Sequence, residues 1–265
     1  MNRSTALPQQ AKRLGWAVLA ALLLPLLLAL SLPAHAAAAD GDALKVAVYR
    51  GKAGCRGCSE MVVKALQGSG LKLELAYVGE REPLKVNART LSGFDLYVQP
   101  GGGQDIAAAY AAIGDDGADA IRAFVRSGKG FLGLCMGAYL ADRDWIGLVD
   151  VALQSEVGRP GSGIDDEGDH TIEVRWDGML ERFYYQDGPY FTDKAASGYA
   201  PIAHYRNGDV AMARYGYGAG TVLLTGPHPE ADASWMDDDG GDAAAQDKMR
   251  RLLRYFAATR VAVVR

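Results

Sequence analysis

Apolar and polar positions in the first half of this chain repeat with two different periods, and the order of those periods predicts a layered fold. Leu44–Arg50 (LKVAVYR) is a short apolar run with β-branched residues, which predicts a buried strand leading into a Gly/Cys loop. SEMVVKALQGSG, from Ser59 to Gly70, has helical spacing, with Ser59 as its N-cap and Gly68 and Gly70 near its end. Leu71–Val78 (LKLELAYV) alternates apolar and polar residues, the period of a half-buried strand. Phe94–Pro100 (FDLYVQP) predicts another strand, stopped by proline and three glycines. GADAIRAFVRSGKG then predicts an amphipathic helix with Ala118, Ile121, Phe124 and Val125 on one face. FLGLC (131–135) reads as a short buried strand and MGAYLADRD (136–144) as the start of a helix.

Strand–helix–strand units of this size imply an α/β fold, with a mostly parallel sheet and helices on both faces. After about residue 150 the pattern changes. HTIEVRW, RFYYQDGPYF and PIAHYRNGDVAMARYGYGAGTVLLTG predict short strands joined by Asp-Gly, Asn-Gly and glycine-rich turns, so additional antiparallel strands are expected in the C-terminal half. A final helix is expected over residues 243–259. No linker separates the two halves, and 37–265 reads as one domain.

The beginning of the chain does not belong to that domain. Arg3, Lys12 and Arg13 form a basic, acid-free start, a leucine-rich run follows from Leu14 to Leu32, and Ala34 and Ala36 place small residues at −3 and −1 of a cut. This is the layout of a secretory signal peptide over 1–36. An uncleaved membrane anchor is the competing reading, because the apolar run approaches bilayer-spanning length. Pro25 interrupting the run and Ala-x-Ala following it favour cleavage, after which no stable membrane association is expected. On either reading the globular part is periplasmic or secreted. Loss of 1–36 removes three positive charges and no acids, so the net charge of −4 becomes −7. An acidic body without a basic patch argues against nucleic acid and anionic membrane surfaces as partners and leaves a small-molecule or peptide-like substrate.

Three segments carry candidate chemistry. Gly133-Leu134-Cys135-Met136-Gly137 fits a strand–turn–helix elbow that presents its central residue clear of the sheet. A following helix would lower the thiol pKa through its dipole and free amides, and the Met136 amide would face a developing oxyanion. Of the histidines beyond residue 36, His170 and His204 read as ordinary surface or core residues. His228 sits in GPHPE after the apolar TVLLTG. In extended backbone residues two apart share a side, so Glu230 is expected beside the His228 imidazole as its orienting carboxylate. The third segment is Gln99–Gly103 (QPGGG), whose glycines follow a parallel strand and let backbone amides approach a ligand on the edge that carries Cys135.

Strand–Pro-Gly-Gly, the Gly-x-Cys-x-Gly elbow and His-Pro-Glu, in that order, resemble the class I glutamine amidotransferase-like superfamily. VAVYRGKAGC, PGGG, GLCMGAYLA, YYQDGPYF and YGYGAGTVLLTGPHPE, spread over about residues 44–231, more closely resemble the family built on the N-terminal domain of eukaryotic biotin-protein ligases. The resemblance implies a flavodoxin-like fold, a Cys135–His228–Glu230 triad working through a thioester, and oxyanion amides from Met136 and the Gly101–Gly102 turn. It also implies substrate contacts from Tyr139 and from Tyr185 and Tyr190 of the aromatic stretch; core packing of an Asp-Gly hairpin is the other reading of that stretch. Glutamine-hydrolysing members carry a substrate-binding glutamine where this chain has Tyr139, so glutaminase activity is not implied. The ligase catalytic region is absent, and biotin ligation is not expected.

Cys55 and Cys58 form a C-x-x-C after the first strand. In an oxidising compartment the expectation is a local disulfide that leaves Cys135 over; a redox pair is the alternative. A metal site lacks a second ligand pair, and no metal or cofactor is expected. The rivals to a thiol hydrolase or amidotransferase-like enzyme are thus a non-catalytic binding or regulatory module on the same fold and a redox protein using Cys55 and Cys58.

Overall fold

The computed structural model describes residues 43–192, 197–236 and 241–262, with side chains up to residue 256; residues 1–36, expected from the sequence to be a signal peptide, lie outside the described residues. A nine-stranded mixed sheet organises the chain, in the spatial order β2-β1-β3-β4-β11-β10-β9-β6-β7. Its first five members, β2 (Leu73–Val78), β1 (Leu44–Tyr49), β3 (Leu96–Gln99), β4 (Gly130–Leu134) and β11 (Gly220–Thr225), are parallel to one another. The remaining four, β10 (Val210–Tyr217), β9 (Ala200–His204), β6 (His170–Trp176) and β7 (Met179–Tyr185), pair antiparallel. The antiparallel strands therefore extend the parallel sheet, and β11, the last strand in sequence, lies between the two halves.

Alternation along the central strands builds a core on each face. Val46, Val48, Leu96, Val98, Leu132 and Leu134 pack towards α1 (Cys58–Gln67) and α5 (Gly241–Ala262), through Val62 and Leu66 of the former and Met249, Leu252 and Phe256 of the latter. Ala47, Tyr49, Tyr97 and Phe131 point the other way, against Ile121, Phe124 and Val125 of α3 (Ile106–Arg126). These central strands are buried on both faces, which is why their sequences read as unbroken apolar runs. The α/β expectation, with helices on both faces, is realised.

Several local expectations are corrected. Ser59 is not an N-cap: α1 starts at Cys58 after Gly57 in left-handed conformation, and the Ser59 hydroxyl donates to Tyr49 O at 2.8 Å. The helix expected from residue 117 starts at Ile106, capped by the Asp105 carboxylate accepting from Ala108 N, and Gly114 breaks it with φ 73° and ψ 164°. α2 (Ala88–Leu91) is a short turn capped by Asn87. The helix expected after Cys135 is a single turn, α4 (Met136–Tyr139). RFYYQDGPYF does not fold back as a hairpin, because β8 (Pro189–Tyr190) leaves the sheet to pair with β5 (Gln154–Ser155). The hairpin turn between β6 and β7 is instead Asp177-Gly178, both with positive φ, the backbone that Asp-Gly tolerates in a two-residue loop. No described helix is long and apolar enough to cross a membrane.

Candidate active site

The carboxyl ends of β1, β3, β4 and β11 share one edge of the sheet, the position where open α/β sheets bind ligands. Gln99 is in register with Gly133, and Leu134 with Thr225. The loops after β3, β4 and β11 consequently leave side by side, and they carry QPGGG, Cys135 and GPHPE.

Cys135 has φ 51° and ψ −112°, a strained conformation for a residue with a Cβ, and its N–H donates to Thr225 O at 2.8 Å. The glycines on either side are needed for close approach. A Cβ on Gly133 would lie 2.5 Å from Gly137 O, and one on Gly137 would run into Gln99 O. The thiol is buried and directed at Gln186 O, 3.2 Å from Sγ. α4 is a single turn, and a helix that short carries little macrodipole. What α4 does provide is position: the Met136 amide opens the turn next to the sulfur-bearing residue.

His228 follows β11 on a proline-bounded segment. Its N–H donates to Tyr184 O at 2.9 Å, and Thr225 Oγ1 donates to Pro227 O at 2.8 Å, which fixes the exit of the strand. Nδ1 lies 2.9 Å from Glu230 Oε1, with both side chains buried. Glu230 Oε2 is buried without a hydrogen-bond partner. Burial pulls the imidazole pKa down, but the charges and hydrogen bonds of Cys135 and Glu230 outweigh it and raise His228 to about 10. Cys135 and His228 meet through β11: the Cys135 N–H bonds to Thr225 O, at the end of the strand that leads into His228. The rings of Tyr184 and Trp235 stand edge-on to the imidazole at 5.3 and 5.5 Å.

The QPGGG loop closes the third side. A Cβ on Gly101 would lie 2.6 Å from His228 Cε1, and one on Gly102 would strike the Met136 side chain. Gly101 O accepts from Cys55 N at 2.9 Å, and the Gln99 amide, anchored by the Tyr97 hydroxyl, donates to Ala53 O at 2.6 Å. The loop after β1 is thereby docked on the glycine turn. Cys55 and Cys58 are joined as a disulfide in that loop, with Cα atoms 5.2 Å apart, and Cys135 is a free thiol.

A pocket of about 530 Å³ opens beside Cys135. Its lining comes from the glycine turn and the start of α3 (Gly102, Gly103, Gln104, Ile106), from the Cys135 turn (Met136, Tyr139), and from Glu167, Gln186 and Asp187. Tyr139 lies mostly buried within it. Burial, with Asp187 and Cys135 nearby, pushes its phenol well up, so it stays neutral and able to donate. The other two tyrosines expected at the pocket are placed elsewhere. Tyr185 is fully buried, its hydroxyl donating to Gly188 O at 2.8 Å and its ring edge-on to Tyr205. Tyr190 donates to Gln154 Oε1 and lies under the Arg159 guanidinium. Neither lines the pocket, because the chain turns away from β7 at Gln186 instead of folding back. His170 pairs with Asp166, and His204 ends β9. No group of three or more potential metal ligands occurs among the described residues.

Tyr184, Trp235, Gln104, Glu167, Gln186 and Asp187 are the site residues that sequence reasoning does not single out. Tyr184, Gln186 and Asp187 lie inside the aromatic stretch, so its density marks the place while the expected hairpin misassigns the faces. Gln104 and Glu167 stand in loops without periodicity, and only the fold brings them together.

The fold is similar to that of PurLQS from Thermotoga maritima, with a TM-score of 0.58 and 18% identity over 80% of this chain and 99% of that one. A β-galactosidase from Bacillus circulans sp. alkalophilus is similar over 80% of this chain and 31% of its own, with a TM-score of 0.47 and 13% identity. No protein-family model matches the chain, and no curated protein is similar to it in sequence. At 18% identity the likeness to PurLQS shows the fold alone, an α/β architecture shared over most of both chains.

Proposed function

We propose that this chain is an exported cysteine-nucleophile enzyme that hydrolyses or transfers an acyl group from an amide or related acyl compound. Within the superfamily, the motifs read from the sequence favour the family related to the N-terminal domain of biotin-protein ligases. The observation that carries the reading is the buried pairing of His228 with Glu230 at 2.9 Å, on the segment after β11, whose end binds the amide of a strained Cys135 at the mouth of a pocket.

A protonated His228 beside Cys135 is the arrangement in which the sulfur attacks as a thiolate. Sulfur adds to the acyl carbon, and backbone amides near Gly102 and Met136 face the oxygen that gains charge. Collapse of that adduct breaks the bond to the leaving amine, which takes a proton from His228, and leaves a thioester. Neutral His228 then accepts a proton from water, or from an acceptor amine or alcohol, as its oxygen or nitrogen attacks. Breaking the thioester returns Cys135. Glu230 keeps the imidazole oriented and stabilises its charged form throughout. A Cys55–Cys58 disulfide accords with an oxidising compartment, which supports export.

The test is the rate of Cys135 alkylation by iodoacetamide against pH, in the wild type and in His228→Ala and Glu230→Gln. The expected outcome is a profile that both substitutions displace. A profile centred near an ordinary thiol value of roughly 8.5 in all three proteins would sink the proposal. A non-catalytic binding module is the second reading. It is favoured by one feature, the bulky neutral Tyr139 inside the pocket, and it predicts unperturbed alkylation together with ligand-dependent protection of Cys135.

A further inference from the structure

The lining of the Cys135 pocket is electrically one-sided. Among the described residues it contains two carboxylates, Glu167 and Asp187, and no lysine, arginine or histidine. The carboxylates are brought together by a neutral donor. Gln104 Nε2 donates to Glu167 Oε2 at 2.7 Å and to Asp187 Oδ2 at 3.3 Å, which leaves their negative charge uncompensated by this partner. Asp187 is held in place on its other oxygen by the Ser155 hydroxyl at 2.6 Å, and its backbone has φ 49°, so its direction is set by the turn. The charge is also close to the chemistry: Asp187 directly follows Gln186, whose carbonyl contacts Cys135 Sγ at 3.2 Å.

A substrate whose carboxylate enters this pocket would meet both anions with no cationic side chain in the lining to offset them. A substrate carrying an ammonium or guanidinium group would find two fixed acceptors in a cleft that concentrates cations. We propose that the Cys135 pocket takes a cationic acyl or amide substrate, a compound bearing an amine or guanidine group, and that Glu167 and Asp187 bind that group with Gln104 setting their spacing. The inference rests on the reading of Cys135 as a nucleophile and adds to it the charge class of what is attacked.

Thiol-specific methanethiosulfonates of matched size, carrying a trimethylammonium group, no charge, or a sulfonate, test this directly. Each rate at Cys135 is divided by the rate of the same reagent with a small free thiol. The expected wild-type preference for the cationic over the anionic reagent is about tenfold or more at low salt, shrinking as salt is added. Glu167→Gln and Asp187→Asn preserve shape, the second also preserving tolerance of positive φ, and together they should bring the ratio close to one. A wild-type ratio equal to that of the free thiol, or one that persists in the double variant, overturns the proposal. The neutral reagent reports the nucleophile separately. If His228→Ala leaves its rate unchanged, the nucleophile reading fails; if that rate falls while the charge ratio is flat, the charge proposal alone fails.

Discussion

Gly101 is packed against His228 so closely that a single added methyl group would sit 2.6 Å from imidazole Cε1. That contact links the glycine turn to the candidate base, so Gly101→Ala should displace His228 with little effect on the sheet. The expected destabilisation is about 1–3 kcal/mol from overpacking, and the alkylation profile of Cys135 should move towards that of His228→Ala. A wild-type profile in the Gly101→Ala protein would show that the ring moves aside freely.

The same turn is fixed from behind by the loop holding the disulfide, through Cys55 N–H to Gly101 O. Replacing both Cys55 and Cys58 by serine removes a very short covalent loop, worth at most about 2 kcal/mol by chain entropy. A fall of that order in unfolding free energy is expected, together with slower alkylation of Cys135 in the reduced or serine form. Unchanged alkylation would mean that the loop after β1 holds its place without the bridge.

His228 supplies a pH dependence with a definite sign. Its pKa is raised from 6.5 in the unfolded chain to about 10 in the folded protein, against the opposing pull of burial, by Cys135 and Glu230. Its contribution to stability is therefore complete below about pH 6.5 and is lost as pH rises towards 10. Urea midpoints measured from pH 6 to 10 should fall more steeply for the wild type than for His228→Gln, the two converging at the alkaline end. Parallel curves would remove His228 as the source.

Strain at Cys135 can be separated from chemistry. Alanine keeps the Cβ that φ 51° and ψ −112° disfavour, whereas glycine does not. Such strain costs about 1–3 kcal/mol, of which glycine's unfolded-state entropy returns roughly 0.5–1 kcal/mol. Cys135→Gly should therefore be more stable to urea than Cys135→Ala by up to about 2 kcal/mol, with both inert to alkylation. Equal midpoints would show that the elbow is relaxed.

Export makes a prediction at the other end of the chain. The purified mature protein from a secreting host should begin at Ala37, read by intact mass or N-terminal sequencing. A full-length chain retained in the membrane fraction would support the uncleaved anchor instead.

What is legible in the sequence follows from how locally each feature is encoded. Buried parallel strands such as β1 and β4 are continuous apolar runs, and elbow glycines such as Gly133 and Gly137 are demanded by neighbours close in the chain or in the next strand, so both can be read directly. The Asp105 cap and the break at Gly114 are within reach of sequence signals but are outweighed by the stronger periodicity that begins at residue 117. The turn after Tyr185 misleads because Asp-Gly marks a reversal without saying which strand comes next; here β8 pairs with β5. Glu167 and Gln104 are not legible at all, since their meeting depends on two loops that no pattern connects.

The placement of β11 carries a consequence for how the molecule comes into being. This strand pairs with β4 on one side and β10 on the other, and its end lies at the Cys135 amide and leads into His228. A nascent chain that has not yet delivered Gly220–Thr225 has two raw sheet edges, neither sealed against another copy. Seating β11 therefore joins the two halves of the sheet and brings the His228 segment to the edge that carries Cys135 in a single step.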